Sequence, residues 1–553
     1  MLAPFSFAGE ARVVNRVIVL GGYGGFGARL SRRLAADGWE VFVAGRTART
    51  AVEFAARVIN AKPLVLDRDA DILPKLRETE PFALVDAAGP FQGSDYRVPL
   101  ACIDAGIHYL DLADATDFVT GIGQLNEAAL ARGVAVISGA SSIPALSGAV
   151  ARKLAEGMQS VSTVEISISA SNRATAGPSV AAAILGQVGK PVRLWRAGRW
   201  AIATGWQDLK RERYEPVGQP AMSRLVALAD VPDHVTLPDL LPGKPATIFR
   251  AGPELGFQVL ALWLLSWPVK WGLLASLRAW SRWLLPLQSL TAMFGSDRSA
   301  MKVALKGANT AGLLARSWTL IAGRGDGPEI PTMPAQLIAR RLLDGTISPG
   351  ARHAGTLLKL DDFRPLFEAL AIDDAIAEHP YVAPYRRAMG DRFDRLPAPV
   401  RAMHEWVGDA AAAGRATVTR GSSPVARLIA AVMRFPPEGD HDIHVGFREE
   451  DGHETWTRDF SGWRFSSELR EKSGRLVERF GPLQFLFELP SDENGLAMRI
   501  VGWSAFGIPM PLALAPRSLA REWAEGEDFC FDVPIALPLI GDVVHYTGRL
   551  RRL

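Results

Sequence analysis

The stretch Arg16-Val-Ile-Val-Leu-Gly-Gly-Tyr-Gly-Gly-Phe-Gly-Ala28 decides the fold of the first part of the chain. Its first five residues, 16–20, are an apolar run that reads as a buried strand. Gly22, Gly24 and Gly27 then satisfy the spacing G-x-G-x-x-G, with Tyr23, Gly25 and Phe26 between them. Residues 28–37 carry a helical pattern that stops at Gly38. A strand, a glycine turn and a helix in this order are the context that a dinucleotide-binding turn requires. In such a turn Gly22 permits the tight bend, Gly24 lets the backbone approach a pyrophosphate, and Gly27 lets the helix lie close to the strand. The unpaired N–H groups and positive dipole end of the helix then face the phosphates.

Working outward, residues 39–44 read as a second strand. A site for NAD places Asp or Glu at the end of this strand to bind the ribose 2′-hydroxyl. Here the strand ends in Ala44-Gly45-Arg46-Thr47, with no carboxylate. A guanidinium at that place suits a 2′-phosphate, so Arg46 and Thr47 point to NADP(H) as the cofactor. Further strands read at 63–67, 82–86, 108–112 and 134–137, separated by helical patterns at 51–58, 98–106 and 124–132. Most of these strands are apolar throughout, as in a parallel sheet covered on both faces. The expectation is a doubly wound Rossmann domain over residues 1–150. Asp67 ends the third strand. Ala88, Gly89 and Pro90 follow the fourth, where small residues leave room for a ligand at the carboxyl edge of the sheet. These four complete the expected cofactor set. For proton transfer the candidates are Tyr109 and Asp111 on the fifth strand; Asp114 lies in the loop that follows it.

The 553 residues as a whole exceed what one core can hold, and two to four domains are expected. A net charge of +3 with no basic run gives no case for nucleic acid. Two cysteines, Cys102 and Cys530, form no disulfide framework and fit a reducing compartment. Residues 1–10 are too short and broken for a signal peptide, so a cytoplasmic protein is expected. Residues 151–375 mix helix and strand signals and read as an α+β domain for substrate or dimerisation. Residues 381–415 read as helical. Beyond them, to residue 553, alternating short strands predict a mainly antiparallel β domain.

Residues 259–277, within an apolar helix expected over 256–290, are rich in Leu and Trp and are interrupted by Pro268 and Lys270. Arg278, Trp280, Arg282 and Trp283 follow. Three settings stay open for this segment: contact with a bilayer surface through 259–285, a spanning helix, or a buried core, pocket-lid or homodimer-interface helix. No metal site is expected. His441 and His444 are three apart, and on a strand they would face opposite ways. Gly139-Ala-Ser141 lacks the second glycine of a nucleophile elbow, which argues against hydrolase chemistry.

The run 17–27, Ala44-Gly45-Arg46, Asp86-Ala-Ala-Gly-Pro-Phe91, Gly106-Ile-His-Tyr-Leu-Asp-Leu112 and Ser138-Gly-Ala140 together resemble the saccharopine dehydrogenase NADP-binding domain. The likeness is nearest to the saccharopine-dehydrogenase-like oxidoreductases, including the trans-acting enoyl reductase type. Trp318-Thr-Leu-Ile-Ala322 and Gly325-Asp-Gly-Pro-Glu-Ile-Pro331 are similar to the middle domain of those proteins. Arg395-Leu-Pro397, His404, Trp456-Thr-Arg458, Arg479-Phe-Gly-Pro-Leu483 and Ile535-Ala-Leu-Pro-Leu539 resemble a bacterial domain of unknown function often fused behind such dehydrogenases. The resemblance implies an NADP(H)-dependent oxidoreductase acting on a C=C or C=N bond, and the apolar segment favours a hydrophobic substrate. No cluster of cationic donors for an amino-dicarboxylate is evident, which sets the chain apart from saccharopine dehydrogenase itself. The alternatives are an amino-acid-linked imine reductase of the saccharopine type, and a non-catalytic NADP-binding sensor or scaffold whose C-terminal domain binds a lipid or a partner.

Overall fold

A computed structural model describes residues 15–173, 177–215, 220–281 and 290–553. Residues 1–10, Arg282 and Trp283 lie outside these. The first sheet has seven strands. Six are β1 (Arg16–Leu20), β2 (Glu40–Gly45), β3 (Ala61–Val65), β4 (Ala83–Asp86), β5 (His108–Asp111) and β6 (Ala135–Ser138). Their order is β3-β2-β1-β4-β5-β6, all parallel, which is the doubly wound Rossmann arrangement. Both faces are covered. Val17, Val19, Val41 and Val85 enter one core, and Ile18, Leu20, Leu84 and Tyr109 enter the other. This explains why the strands are apolar at successive positions rather than at alternate ones.

The seventh strand comes from far along the chain. Gly350–His353 pairs in parallel with β6. The first domain is therefore not confined to residues 1–150, because part of the segment expected in the middle domain returns to finish its sheet.

The middle region is built on a second seven-stranded sheet, mixed in direction, with Ser160–Ala170 at its centre between Ala246–Pro253 and Ser299–Asn309. Its last strand, Ile372–Pro380, runs past the boundary expected at residue 375. The apolar helix is shorter than the pattern suggested. It spans Gly256–Lys270, with Pro268 in its last turn. Among the described residues no helix is long and apolar enough to cross a membrane.

The C-terminal part is a closed antiparallel barrel of ten strands. They run in order Leu483–Glu488, Arg475–Phe480, Trp463–Lys472, His453–Phe460, Gly439–Glu450, Asp409–Arg420, Gly541–Arg552, Asp528–Leu537, Leu519–Glu525 and Gly495–Ala505. The last pairs back with the first. Its interior is packed with aromatic side chains, among them Phe447, Trp456, Phe460, Phe529 and Tyr546. Short helices Pro384–Met389 and Ala398–His404 precede it. Residues 409–415, expected to continue the helical region, are strand instead. Small side chains are required there by close approach. A side chain on Gly414 would strike the carbonyl of Arg549 on the next strand, and this tertiary fit overrides the helix preference of the alanines.

Candidate active site

At the carboxyl edge of the first sheet, β1 runs into the glycine turn and then into helix α1 (Gly25–Ala36). Gly21, not Gly22, adopts the left-handed conformation, with φ of 75°. Gly22 is needed for space, since a side chain there would meet the carbonyl of Val19 and the side chain of Val43. A side chain on Gly27 would run into the carbonyl oxygen of Gly21, so the helix can rest on the turn only because position 27 is glycine. The buried Ser31 hydroxyl donates to the Gly22 carbonyl at 3.0 Å and fastens helix to turn. Gly24 occupies the N-cap with no side chain to satisfy the first N–H groups of α1. Those donors therefore point outward, as a diphosphate site requires.

The helix tip opens into a cleft of 750 Å³. Its lining contains Tyr23, Gly24, Gly25, Phe26, Arg46, Asp67, Ala88, Gly89 and Pro90, nine of the residues expected to contact cofactor. Gly22 and Gly27 lie beneath the turn as spacers, outside the lining. Thr47 also stands outside it, and its backbone N–H donates to the Tyr23 hydroxyl at 3.0 Å. This bond lays the tyrosine ring against Gly45, where any side chain would collide with it. Arg46 is exposed at the end of β2 and forms no ion pair among the described residues. Its neighbour Arg49 is held by Glu53 at 3.0 Å. A free guanidinium beside the glycine turn fits a 2′-phosphate, and the cradle as a whole fits a dinucleotide.

Arg68, just beyond β3, was not singled out by its sequence. It donates to the Ala88 carbonyl, lies 3.4 Å from the buried Asp86 carboxylate, and stacks over Phe91 at 5.0 Å. Burial pushes the Asp86 carboxyl up, and the Arg68 charge opposes this. One side chain thus joins the loops after β3 and β4. A basic residue immediately after a strand that ends at the ligand edge was the only available signal.

The opposite wall comes from the middle region. Ser179, Val180 and Ala183, on the helix Pro178–Gln187, face the cleft, and so does Arg278. In the sequence nothing marks Arg278 beyond its place two residues before Trp280. It is exposed, and its guanidinium forms no ion pair among the described residues. Asp114 also lines the cleft, with its carboxylate accepting from Gln92 at 3.2 Å.

Tyr109 and Asp111 do not reach this space. Tyr109 is wholly buried in the core on the far face of the sheet, and burial pushes its hydroxyl well above the usual range. Asp111 is also wholly buried. Its Oδ1 accepts from the N–H of Gly139 at 2.7 Å, the N–H of Ala113 at 2.9 Å and the Ser138 hydroxyl at 3.0 Å. Burial raises it to about 7. It ties the ends of β5 and β6 together beneath the cleft, so neither residue is placed to touch a substrate. Among the described residues no three metal-ligating side chains come together. The His444 Nε2–H donates to the Ala197 carbonyl at 2.9 Å, and the His441 Nε2–H donates to the Pro437 carbonyl at 2.9 Å.

Residues 17–145 match the family model of the saccharopine dehydrogenase NADP-binding domain. Residues 396–550 match a domain of unknown function, DUF4166, and cover nearly all of the barrel. No curated protein matches the chain. Similar solved structures include an amine dehydrogenase from Mycobacterium smegmatis, at 11% identity over 63% of this chain and 97% of that one, with a TM-score of 0.36. Another is GenD2 from gentamicin A biosynthesis in complex with NAD, at 16% identity over 66% and 97%, with a TM-score of 0.31. The oxidoreductase-like yvaA protein from Bacillus subtilis aligns at 13% identity over 61% and 92%, with a TM-score of 0.28. The first domain is therefore a Rossmann domain of the saccharopine dehydrogenase NADP-binding type, and the chain ends in a DUF4166 barrel.

Proposed function

We propose that the protein is an NADP(H)-dependent oxidoreductase that reduces a C=C or C=N bond, the former being the enoyl reductase reaction. One observation carries this reading. A single cleft runs from a phosphate-binding helix tip and an unpaired Arg46 to a second wall made by Val180, Ala183 and the unpaired Arg278. The cofactor, when bound, supplies a hydride. The chain supplies the rest. The backbone amides of Gly25 and Phe26 hold the diphosphate, and Arg46 holds the phosphate of the adenosine ribose. Ala88, Gly89 and Pro90, braced by Arg68, leave space beside the sheet edge. Arg278 orients an anionic group of the substrate, Val180 and Ala183 receive its apolar part, and Asp114 delivers the proton.

The test is a titration of the full chain with NADPH and with NADH, followed by NADPH consumption assays on anionic α,β-unsaturated and imine substrates that carry an apolar chain. NADPH should bind at least about ten-fold more tightly, a difference of about 1.4 kcal/mol. Consumption should require one of these substrates. Tight NADPH binding with no turnover on any of them would instead favour the sensor.

A further inference from the structure

The two ends of the barrel differ. One end stands on the middle region. Asp409 accepts from the backbone of Ala197, Lys306 pairs with Glu449 at 2.8 Å, and the Ser162 hydroxyl donates to the Val407 carbonyl. The strand direction puts the segments 421–438, 461–462, 481–482, 505–518 and 538–540 at the other end. That end carries large apolar side chains pointing away from the protein. Val425, Leu428 and Val432 share the outer face of the helix Pro424–Val432, on which Leu428 is 65% and Val432 74% exposed. Phe506 and Ile508 stand at a hairpin tip, with Phe506 83% exposed. Leu539, in the turn between the last two strands, is fully exposed.

Backbone contacts set several of these segments beside one another. The Gly421 N–H donates to the Val543 carbonyl, which sets the helix beside the turn that holds Leu539. Arg517 pairs with Ala536 and sets the next segment on the far side of that turn. The Phe506 N–H donates to the Pro482 carbonyl and sets its hairpin tip beside the turn at 481–482. Single exposed apolar residues are ordinary, but several gathered at one end of a domain are not.

We infer that this rim of the barrel docks the protein onto an anionic lipid bilayer. The apolar groups project from separate turns and one helix face rather than lining a groove. A bilayer accepts such protrusions without matching their shape. Arg427, Arg434 and Arg517 are exposed at the same end with no ion pair among the described residues, beside the acids Glu438, Asp440 and Asp542, while Arg479 lies 3.9 Å from Glu468. Phosphate headgroups complement this charge. This face is distinct from the segment 259–285 that the sequence pointed to, which also exposes Leu264 and Trp271 and follows the exposed Phe257. The inference does not depend on the reaction proposed above.

The test is sedimentation of the full chain with vesicles of phosphatidylcholine mixed with an equal amount of phosphatidylserine, and with phosphatidylcholine alone. Binding to the mixed vesicles is expected, weakened by salt and at least ten-fold weaker in Leu428→Ser/Val432→Ser/Phe506→Ser. That variant alters only exposed side chains and should melt like the parent. Phe257→Ser/Leu264→Ser, on the helix of the middle region, should bind like the parent. Three outcomes would overturn the inference: absence of vesicle binding, equal binding by the rim variant, or loss confined to the middle-region variant. Self-association in ultracentrifugation, removed by the rim substitutions in a protein that ignores vesicles, would make the face a contact between copies instead.

Discussion

Gly27 and Gly21 are packed so closely that the first carbon of any side chain on Gly27 would overlap the carbonyl oxygen of Gly21. The phosphate-binding tip exists only while this contact is kept. Gly27→Ala should push α1 off the turn and weaken NADPH by more than ten-fold, with a loss of stability of about 1–3 kcal/mol, the usual cost of overpacking. Isothermal titration and urea unfolding on the same sample would check it. A variant that binds like the parent would show that the turn can yield.

Arg46→Ala should weaken NADPH by about ten-fold, or about 1.4 kcal/mol, and leave NADH nearly unchanged. The guanidinium has no ion pair among the described residues to lose, so stability should not move. Equal losses for the two cofactors would remove the 2′-phosphate assignment.

Arg68→Met removes the cation facing the wholly buried Asp86. The stranded carboxylate should cost about 2–4 kcal/mol, since breaking a buried pair is worse than removing it whole. Asp86→Asn added to that variant should recover much of the loss. Urea unfolding of the two single variants and the double one gives the coupling. Additive losses would mean that the two groups do not sense each other.

Arg278→Ala should raise KM for an anionic substrate by about ten-fold with little change in NADPH affinity, as expected for a contact on the substrate side alone. Steady-state kinetics at saturating NADPH would measure it. A matching loss of NADPH affinity would move Arg278 to the cofactor.

Burial pushes Glu454, inside the barrel, up to about 8. The folded protein therefore holds a proton that the unfolded chain releases near its ordinary value of 4.5. The associated stability is full at low pH and is lost as the pH rises through about 8. Asp111 and Asp233, each raised to about 7, act in the same direction. Glu454→Gln stays neutral and keeps an acceptor for the Trp456 indole N–H, which now lies 3.0 Å from the carboxylate. Its melting temperature should fall less steeply than the parent's between about pH 5 and pH 9, leaving it more stable by a few kcal/mol at the alkaline end. Parallel slopes would refute this.

The first domain was legible because most of its strands are apolar runs and its turn needs glycine for steric reasons, so local residues carry the information, whereas its seventh strand, Gly-Ala-Arg-His at 350–353, carries no such signal. Arg46 and Tyr23 could be found for the same reason. The far wall could not. Nothing in Ser179, Val180 or Ala183 marks them as facing a cleft, because the sheet of the middle region places them there. Tyr109 and Asp111 sit on the strand that alternation places beside the cleft, yet one points into the far core and the other is used up by the turn at Gly139. The alanine run at 410–413 reads as helix by local preference and becomes strand through barrel closure.

The strand Gly350–His353 has a consequence for biosynthesis. As the chain leaves the ribosome, the outer side of β6 has no neighbour until residue 353 has emerged. The whole middle region must be made first. A bare parallel edge is an invitation to mispairing. The nucleotide-binding half cannot finish folding by itself during translation, and a gene fragment cut at residue 150 should yield protein that aggregates, whereas one that continues beyond residue 380 should not.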